Sequence, residues 1–464
     1  MSDEKPAVSR PTFNVNSHIA EAKFSFVYGA ILFVGFLTVV ADGYDLYIYG
    51  ATVPLLLKEF KMGPAQAGVI GSYALIGAAI GSVAFGALAD KIGQKWTVVI
   101  STLIFATAMV ATGHTNEPAT FGLARFIAGL GVGGSAPSFL ALASQYSPAR
   151  HRTLGSVIIM AGMAAGGMVS AGLGMWLMPA FGWRSVYFAA SSQFVIIPLV
   201  IFLVPESPVH LLRRNEGDKL RKVLQRIRPE IAVPADAELV YYRGSAGGKV
   251  PVIELFREGR AAATLCMWAI YFFSFYMVYG LGTWVPKLMM ERGFSLSSGL
   301  WFLAALNIGK FLSAFGAGYI ADRVGRRATA SVLFATTFVA LVLLAFTGDP
   351  AVLSVLVALA GVGNGAGQGV IHAHNTLYYP PTMRATAMGC AMGVGRVGGF
   401  AGPAIGGFLM AYVSANVDFL FFCLGVPGFI VAVLIWLVRE KYSFTPDVYG
   451  AARAKGARQT QIAG

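Results

Sequence analysis

The sequence predicts an all-α membrane protein with twelve transmembrane helices arranged as two pseudo-symmetric six-helix bundles. Its composition is 56% hydrophobic and only 12% charged, which is far from the usage of soluble domains. A transmembrane helix needs about 20 apolar residues, and about twelve such runs follow one another along the chain. These runs predict helices, because lipid offers no partner to backbone polar groups and a barrel would show short alternating strands.

An internal repeat supports the division into two bundles. The segment Gly86–Lys95 returns almost letter for letter as Gly318–Arg327, and the spacing from Asp90 to Asp322 is 322 − 90 = 232 residues. Such a repeat among long apolar runs indicates two copies of one membrane-embedded unit, which favours a transporter. The same offset joins further identical pairs, whose first members are Tyr47, Gly50, Pro54, Glu59, Gly129, Tyr146, Pro148, Arg152 and Gly167.

Charge and hydropathy divide the chain into five segments. We expect a tail at 1–24, a first bundle at 25–204, a linker at 205–261, a second bundle at 262–438 and a second tail at 439–464. Lys and Arg concentrate in alternate loops and in the linker, which is the positive-inside pattern. Both termini and the linker are therefore expected on the cytoplasmic side of the membrane. The net charge of +13 follows this pattern and does not predict nucleic-acid binding.

The cysteines give no sign of a metal or a disulfide framework. Cys266, Cys390 and Cys423 lie scattered in apolar runs, so we interpret them as packing residues and expect no cofactor. No nucleophile–base set or phosphate-binding loop stands outside the runs, so the sequence does not predict an enzyme. We expect the protein to function as a monomer in the lipid bilayer.

Several motifs carry a family resemblance. The segments Gly86–Lys95 and Gly318–Arg327 resemble the signature of the major facilitator superfamily. The segments Asp42–Gly50 and Gly393–Pro403 are similar to those of its aromatic acid:proton symporters, and the Asp-Gly-Tyr-Asp form resembles the benzoate transporters. The resemblance covers nearly the whole chain. It implies a secondary transporter that imports a small aromatic carboxylate, of the benzoate or hydroxybenzoate type, together with protons by alternating access.

One position departs from that resemblance. The relatives place a glutamate at the end of the fourth run, before a Tyr-x-Pro-x-Arg segment, where this chain has Gln145. An amide neither titrates nor forms an ion pair with Arg150. We therefore expect gating on the cytoplasmic side to depend on the other loops.

The repeat also helps to distinguish scaffold residues from candidate functional residues. Residues that are equal at the repeat offset are expected to form the shared scaffold, whereas polar groups present in only one of the two halves are candidates for function. A charge near the bilayer centre costs about 3 kcal/mol, so such groups normally face a cavity or a partner. The residues selected in this way are Asp42, Asp45, Arg125, Lys310, Gln368, His372, Asn375 and Arg396.

Asp42 and Asp45 are the candidates for proton coupling. They stand three residues apart on the first run and therefore share one face of the helix. A partly desolvated carboxylate is suited to bind and release protons. Arg125, near the outer start of the fourth run, can lie at the same depth as Asp45 and act with it. A static salt bridge that only fixes the packing is the alternative interpretation.

Lys310 and Arg396 are the candidate cations for an anionic substrate. A planar carboxylate suits the guanidinium fork of Arg396, whereas Lys310 has a snorkelling alternative. Gln368, His372 and Asn375 follow spacings of four and three, which makes a polar stripe on the tenth run. The stripe suits a substrate hydroxyl or carboxylate, and a bond to a neighbouring helix is the alternative. His372 is also a rival proton carrier.

Aromatic residues crowd the first and seventh runs. Ring contacts would suit an aromatic substrate, and the candidates are Tyr44, Tyr276 and Trp284. Ordinary packing explains the same enrichment, because aromatic residues are plentiful in membrane helices and Trp favours the membrane interface.

The two short repeated loops are expected to form the inner gate. The carboxylates of Asp90 and Asp322 would cap the start of a neighbouring helix and pair with Arg or Lys. Gly93 and Gly325 would allow the sharp turns. The remaining residues of the predicted gate are Arg326, Arg152 and Arg384.

Other functions remain open at this stage. A sugar porter, or a proton symporter for another organic acid, would share the Pro205–Ser207 segment; sugar porters carry paired glutamines in the seventh run, and residues 271–284 have none. A drug–proton antiporter would carry the Gly402–Gly407 motif in the fifth run rather than the eleventh. A membrane sensor without transport is the alternative from another class, although the tails and the linker are too short for a signalling domain.

Overall fold

The structure is a computed structural model that is helical almost throughout. It describes residues 11–234, 236–241, 251–380, 382–412 and 417–438, without the side chains of residues 152 and 153. Within these ranges ten helices are long and apolar enough to cross a membrane, and one helix pair bent by 53° adds an eleventh span. The helix Arg384–Tyr412 has 29 residues and completes the twelve predicted spans.

The first half of the chain begins with a short strand and a short helix, and six spans follow. The sixth span is interrupted by a 3-10 stretch. In chain order these elements are β1 (Thr12–Asn14), α1 (Val15–Ala20), α2 (Phe26–Glu59), α3 (Pro64–Ile92), α4 (Gln94–Gly113), α5 (Pro118–Gln145), a 3-10 turn (Ala149–His151), α6 (Arg152–Phe181), α7 (Arg184–Ala189), a 3-10 stretch (Ala190–Val195) and α8 (Ile196–Leu203). Local signals explain where the spans begin. Ser25 caps α2 by accepting a hydrogen bond from the Tyr28 N–H, and Pro64 and Pro118 occupy the first turns of α3 and α5, where a missing N–H costs nothing.

The second half begins with the linker elements and continues with six further spans. In chain order these are α9 (Pro208–Arg213), α10 (Gly217–Ile227), β2 (Glu238–Val240), a 3-10 turn (Val252–Phe256), α11 (Ala261–Glu291), α12 (Leu296–Ser313), α13 (Ala317–Val324), α14 (Arg326–Leu343), a 3-10 turn (Leu344–Phe346), α15 (Pro350–Tyr378), α16 (Arg384–Tyr412) and α17 (Val417–Leu437). The bent span consists of α12 and α13. Asp349 caps α15 by accepting from the backbone N–H groups of Ala351 and Val352 at 2.7 and 3.1 Å.

Contacts between the elements divide the chain into two units. The first unit comprises Met1–Gly244, Gly282–Phe311 and Pro403–Val417, and the second comprises Ser245–Leu281, Leu312–Gly402 and Asp418–Gly464. The C-terminal part of α11 therefore groups with helices of the first half. The close contact of Gly50 on α2 with the backbone carbonyl of Gly282, which leaves no room for a Cβ, is one reason. The units follow contacts between helices, and the five segments expected from the sequence stay a prediction.

A small module outside the spans joins the N-terminal residues to the linker. Strand β1 pairs in parallel with β2, with Thr12 opposite Glu238. His18 of α1 is buried, and its Nε2 lies 3.1 Å from the backbone oxygen of Leu224 on α10. Burial lowers the pKa of His18 below its usual value, so the docked imidazole is neutral at neutral pH. The tail and the linker, expected as separate segments, fold together.

Candidate substrate and proton site

The Asp-Gly-Tyr-Asp segment of α2 turns both carboxylates away from α6. Gly43 lies against the Met163 backbone carbonyl of α6, in a contact that a Cβ would block. With about 100° per residue, Asp42 and Asp45 lie about 100° and 160° around the helix from Gly43, on the same side. Both carboxylates are buried, with 5% and 4% of the residue exposed. The contact at Gly43 thus orients α2 so that both carboxylates face α5 rather than α6.

Asp45 and Arg125 form a buried ion pair that joins α2 to α5. Arg125 Nη1 donates to Asp45 Oδ1, and Nη2 donates to the Asp45 backbone oxygen at 3.2 Å. The guanidinium carbon also lies 5.9 Å from the ring centroid of Tyr49. The structure therefore brings together the two residues that the sequence placed at one depth. Removing either partner would leave the other charge buried and uncompensated, which is costly.

Asp42 has a neutral partner instead. Ser135 of α5 donates its hydroxyl to the Asp42 carboxylate, with Oγ 3.0 and 3.2 Å from the two oxygens. Across the described ranges, no basic side chain forms an ion pair with Asp42. Ser135 was not selected from the sequence. It stands opposite Gly367 at the repeat offset, so the symmetry argument contained the signal that would have found it.

Lys310 is held by a tyrosine of the first helix in the same unit. Its Nζ donates to Tyr47 Oη at 2.9 Å and lies 5.2 Å from the centroid of that ring. Lys310 is only 8% exposed, so its ammonium does not reach an interface by snorkelling. The sequence argument did not choose Tyr47 as a candidate. A tyrosine, Tyr279, stands at the same position of the second repeat, so Tyr47 was assigned to the scaffold.

Arg396 lies on α16 in the second unit and is half-buried. Gly398, two residues later, lies against the backbone carbonyl of Phe272 on α11, with no room for a Cβ. Arg396 is about 160° around the helix from Gly398, so its side chain leaves α16 on the side away from that contact. The glycine-rich segment thus packs one face of α16 and presents the arginine on the other.

The polar stripe of α15 is partly bonded to neighbouring helices. Tyr271 Oη of α11 and His372 Nδ1 are 2.7 Å apart, and the same hydroxyl lies 3.3 Å from Met388 Sδ. Asn375 Nδ2 lies 3.8 Å from the same sulfur, and Asn375 Oδ1 is buried without a hydrogen-bond partner. Gln368 is half-buried on the same helix. For His372 the structure therefore shows the interhelical bond that the sequence left as an alternative.

Further polar atoms in the second unit lack partners among the described residues. Asn364, one turn before Gln368 on α15, is wholly buried, and neither atom of its carboxamide is hydrogen-bonded. Ser274 Oγ on α11 is in the same situation, and it stands opposite Asp42 at the repeat offset. Buried polar groups are normally hydrogen-bonded, so atoms of this kind are suited to a ligand or water.

The three aromatic candidates have different surroundings. Tyr44 Oη donates to the Val186 backbone oxygen at 2.6 Å. Trp284 is 1% exposed and its Nε1 donates to the Pro403 backbone oxygen at 3.0 Å, which favours the packing interpretation for this residue. Tyr276 is buried on α11, in the same unit as Arg396.

The predicted gate differs from the observed loops. Asp90 and Asp322 are exposed, and within the described residues neither forms an ion pair. Gly93 and Gly325 hold the N-cap positions of α4 and α14, so neither aspartate stands where it would cap those helices. Glu206 instead caps α4, where its Oε1 accepts from the backbone N–H groups at positions 94 and 95 at 3.0 and 3.3 Å. The turns are as predicted, because Gly93 and Gly325 have φ angles of 98° and 99°.

Gln145, at the position that departs from the family resemblance, joins two neutral side chains near Glu206 by hydrogen bonds. Gln145 Nε2 donates to Gln94 Oε1 at 3.1 Å, and its Oε1 accepts from Ser207 Oγ at 2.6 Å. Arg384 donates to the Tyr379 backbone oxygen at 3.1 Å, and Arg326 is half-buried. The side chain of Arg152 lies outside the described residues.

Comparison with known proteins places this geometry in a family. The sequence profile described as Major Facilitator Superfamily matches residues 35–315 and 267–455. The chain is 32% identical to the benzoate transport protein of Acinetobacter baylyi over 94% of each chain. It is 32% identical to the gentisate transporter of Corynebacterium glutamicum over 90% of each. It is 30% identical to the 4-hydroxybenzoate transporter PcaK of Acinetobacter baylyi, over 88% of this chain and 91% of PcaK.

Solved structures support the same fold. The partially occluded inward-open xylose transporter XylE from E. coli matches with a TM-score of 0.70 at 17% identity, over 90% of this chain and 99% of that chain. A bacterial homologue of the human lysosomal transporter Spinster matches with a TM-score of 0.68 at 16% identity, over 90% and 99%. At such low identity the likeness shows the fold alone, and the substrate has to be argued from the site.

Proposed function

Because the chain belongs to the major facilitator superfamily, in its family of aromatic acid:proton symporters, we propose that it imports a small aromatic carboxylate together with protons. The relatives named above carry benzoate, 4-hydroxybenzoate or gentisate in their names, and each of these is a carboxylate on an aromatic ring. The protein is a transporter rather than an enzyme. The observation that carries the coupling to protons is the buried ion pair of Asp45 and Arg125.

We assign the substrate carboxylate to Arg396. The guanidinium offers a planar pair of donors that matches a carboxylate, and its half-buried position keeps it accessible to an anion. The carboxamide of Asn364 and the amide oxygen of Asn375 lack hydrogen-bond partners among the described residues. Together with Gln368 and His372 on the same helix, they would bond ring hydroxyls, as on a hydroxybenzoate. Tyr276 would contact the ring from α11. Lys310, already bonded to Tyr47, adds positive potential rather than a direct contact.

The ion pair supplies a physical means of coupling. When Asp45 takes up a proton it loses the charge that holds Arg125, so only the bond to the Asp45 backbone oxygen still ties the guanidinium to α2. When the proton leaves, the pair forms again. The protonated and the ionised form of Asp45 would thus favour different arrangements of α2 and α5. Protonation then shifts the balance between two conformations, as alternating access requires. Asp42, with only a hydroxyl partner, and His372 are the candidates for a second proton.

The cellular setting follows from the charge pattern. We propose a bacterial inner-membrane protein that functions as a monomer, with both termini and the linker in the cytoplasm. The neutral link of Gln94, Gln145 and Ser207 would then lie at the cytoplasmic side, together with Asp90 and Asp322. We propose that these two aspartates form ion pairs only when the inner gate is closed.

Uptake into vesicles tests the function. Vesicles containing the purified protein receive an imposed pH gradient, acid outside, with labelled benzoate, 4-hydroxybenzoate or xylose. We expect both aromatic acids to accumulate and xylose to stay at the level of protein-free vesicles. Accumulation of xylose without either aromatic acid would favour the sugar-porter alternative. Absence of accumulation for all three would favour the alternative of a sensor.

A further inference from the structure

Helices of the two halves of the repeat meet inside the first unit. Gly50 on α2 lies against the backbone carbonyl of Gly282 on α11, and Gly167 on α6 lies against the side chain of Asn307 on α12. A Cβ on either Gly50 or Gly167 would overlap its neighbour, so the helices of the first half pack closely on those of the second half here. We refer to these contacts as the seam, and all of its residues belong to one unit.

A hydrogen bond to a buried cation crosses this seam. Lys310 follows Asn307 by three residues on α12 and therefore lies on the same side of that helix. Its Nζ donates to Tyr47 Oη at 2.9 Å, and both residues are buried. The Tyr47 ring also packs against Gly282, where a Cβ would come within 2.9 Å of a ring carbon. The phenol thus joins α2 of the first half to α11 and α12 of the second half, away from bulk water.

Tyr47 stands within one helical turn of the candidate proton carrier. Asp45 precedes it by two residues, about 200° around α2, and is ion-paired with Arg125 of α5 in the first half. One side of α2 therefore holds a cation of its own half, and the opposite side holds a cation of the other half. A movement of α2 relative to α5 when Asp45 is protonated would carry the Tyr47 hydroxyl with it.

We propose that Tyr47 is a positioning residue for transport, whose hydroxyl holds Lys310 across the closed seam and releases it when the two halves separate. This inference rests on the proposed function, because only a protein that alternates between two arrangements needs the seam to open. Opening the seam breaks this hydrogen bond, so the bond contributes to the free-energy difference between the closed and the open seam. Removing it shifts the population towards the open seam.

The first test measures how often the seam opens, and it needs no substrate. Thr283 is 5% exposed and lies against Gly50, so Thr283→Cys places a thiol in the seam once the three native cysteines are replaced by serine. The full-length protein in lipid nanodiscs is then labelled with a water-soluble maleimide. We expect Tyr47→Phe to speed labelling about 10-fold, the lower end of what a hydrogen bond to a charged group contributes. Tyr73→Phe is the matched control on an exposed ring of α3, and it should leave the labelling rate unchanged.

Two further measurements separate this role from simple support of the fold. Lys310→Met should speed labelling at position 283 as much as Tyr47→Phe does, and the double variant should add nothing, because both changes remove the same bond. In vesicles, Tyr47→Phe should lower the maximal rate of uptake and leave the substrate affinity unchanged, since the hydroxyl is not among the groups assigned to the substrate.

Three outcomes would overturn the proposal. The first is equal labelling in Tyr47→Phe and Tyr73→Phe, which decides the matter even if Lys310→Met fails to fold. The second is additive effects of Tyr47→Phe and Lys310→Met in the double variant. The third is a loss of substrate affinity in Tyr47→Phe without faster labelling, which would make the phenol a substrate contact. Labelling as expected without uptake of any aromatic acid would instead support the seam and reject the proposed substrate.

Discussion

The candidate acids of the first contact unit and a buried amide of the second differ in whether their polar atoms have partners. In the first unit the Asp45 carboxylate is ion-paired with Arg125, and the Asp42 carboxylate accepts the Ser135 hydroxyl. In the second unit Asn364 is wholly buried without any hydrogen bond among the described residues. A satisfied pair is stable until a proton changes its charge, whereas an unsatisfied amide gains most when a ligand arrives. We infer that the first unit is organised for the proton and the second for the substrate.

The largest expected effect comes from breaking the satisfied pair. Arg125→Ala leaves the Asp45 carboxylate buried and uncompensated, which should destabilise the protein by about 3–5 kcal/mol and abolish accumulation. The surface pair of Lys219 and Glu216, with 3.0 Å between Nζ and Oε2, gives the control, and Lys219→Ala should cost about 1 kcal/mol or less. Unfolding followed by intrinsic fluorescence measures both.

A double variant sharpens this prediction. Arg125→Ala combined with Asp45→Ala removes both charges and should recover part of the lost stability without restoring uphill transport. Equal stability of the single and double variants would contradict the interpretation of Asp45 as the charge that Arg125 compensates.

The next effect separates substrate binding from coupling. Arg396→Ala should weaken substrate affinity by about 10- to 150-fold, because a hydrogen bond to a charged group contributes about 1.5–3 kcal/mol. Arg396→Lys should recover little, since a point charge does not reproduce the fork. Asp45→Asn mimics the protonated acid, so it should keep counterflow and lose accumulation. Counterflow lost equally in Asp45→Asn and Arg396→Ala would mean that the aspartate shapes the substrate site itself.

Much of this comparison could be predicted from the sequence, because charges in lipid are informative. A buried charge needs a partner, so a lone aspartate and a lone arginine in one half of a repeat point to each other, and Asp45 and Arg125 are indeed in contact. The twelve spans follow from apolar runs for a similar reason, because only a helix satisfies its own backbone in the bilayer.

Hydroxyl groups and short strands gave weaker signals in the sequence than charges did. Ser135 also bonds the Val132 carbonyl of its own helix at 3.0 Å, so a serine in a span costs little and its presence does not announce a partner. Tyr47 looked like scaffold because the repeat preserves it. Strands β1 and β2 have three residues each and are separated by most of the first half, so no periodicity could reveal their pairing. The cap that Glu206 provides for α4 was missed for a similar reason, because Glu206 lies 112 residues from Gln94 along the chain.

A smaller effect concerns the number of protons. If Asp45 alone titrates, one monoanion enters with one proton and the step is electroneutral. Each additional proton gains about 2.3 kcal/mol per 100 mV of membrane potential. A potassium–valinomycin potential without a pH gradient should therefore drive no accumulation in the one-proton case. If current is seen, Asp42→Asn and His372→Gln identify the second carrier by abolishing it, and current that survives in both would exclude these two residues.

The smallest effects test the contrast between satisfied and unsatisfied groups directly. Ser135→Ala removes the donor to Asp42 and should destabilise the protein by about 1–3 kcal/mol, because a buried acceptor is left bare. Asn364→Leu has a similar volume and removes an amide that has no bond to lose, so it should be neutral or stabilising by about 1 kcal/mol. The same variant should lower the affinity for 4-hydroxybenzoate more than that for benzoate, because only the former carries a ring hydroxyl. Unfolding and competition binding on the two variants provide the measurement. If Asn364→Leu destabilises the protein as much as Ser135→Ala does, the amide is satisfied in the membrane and the contrast between the two units disappears at this position.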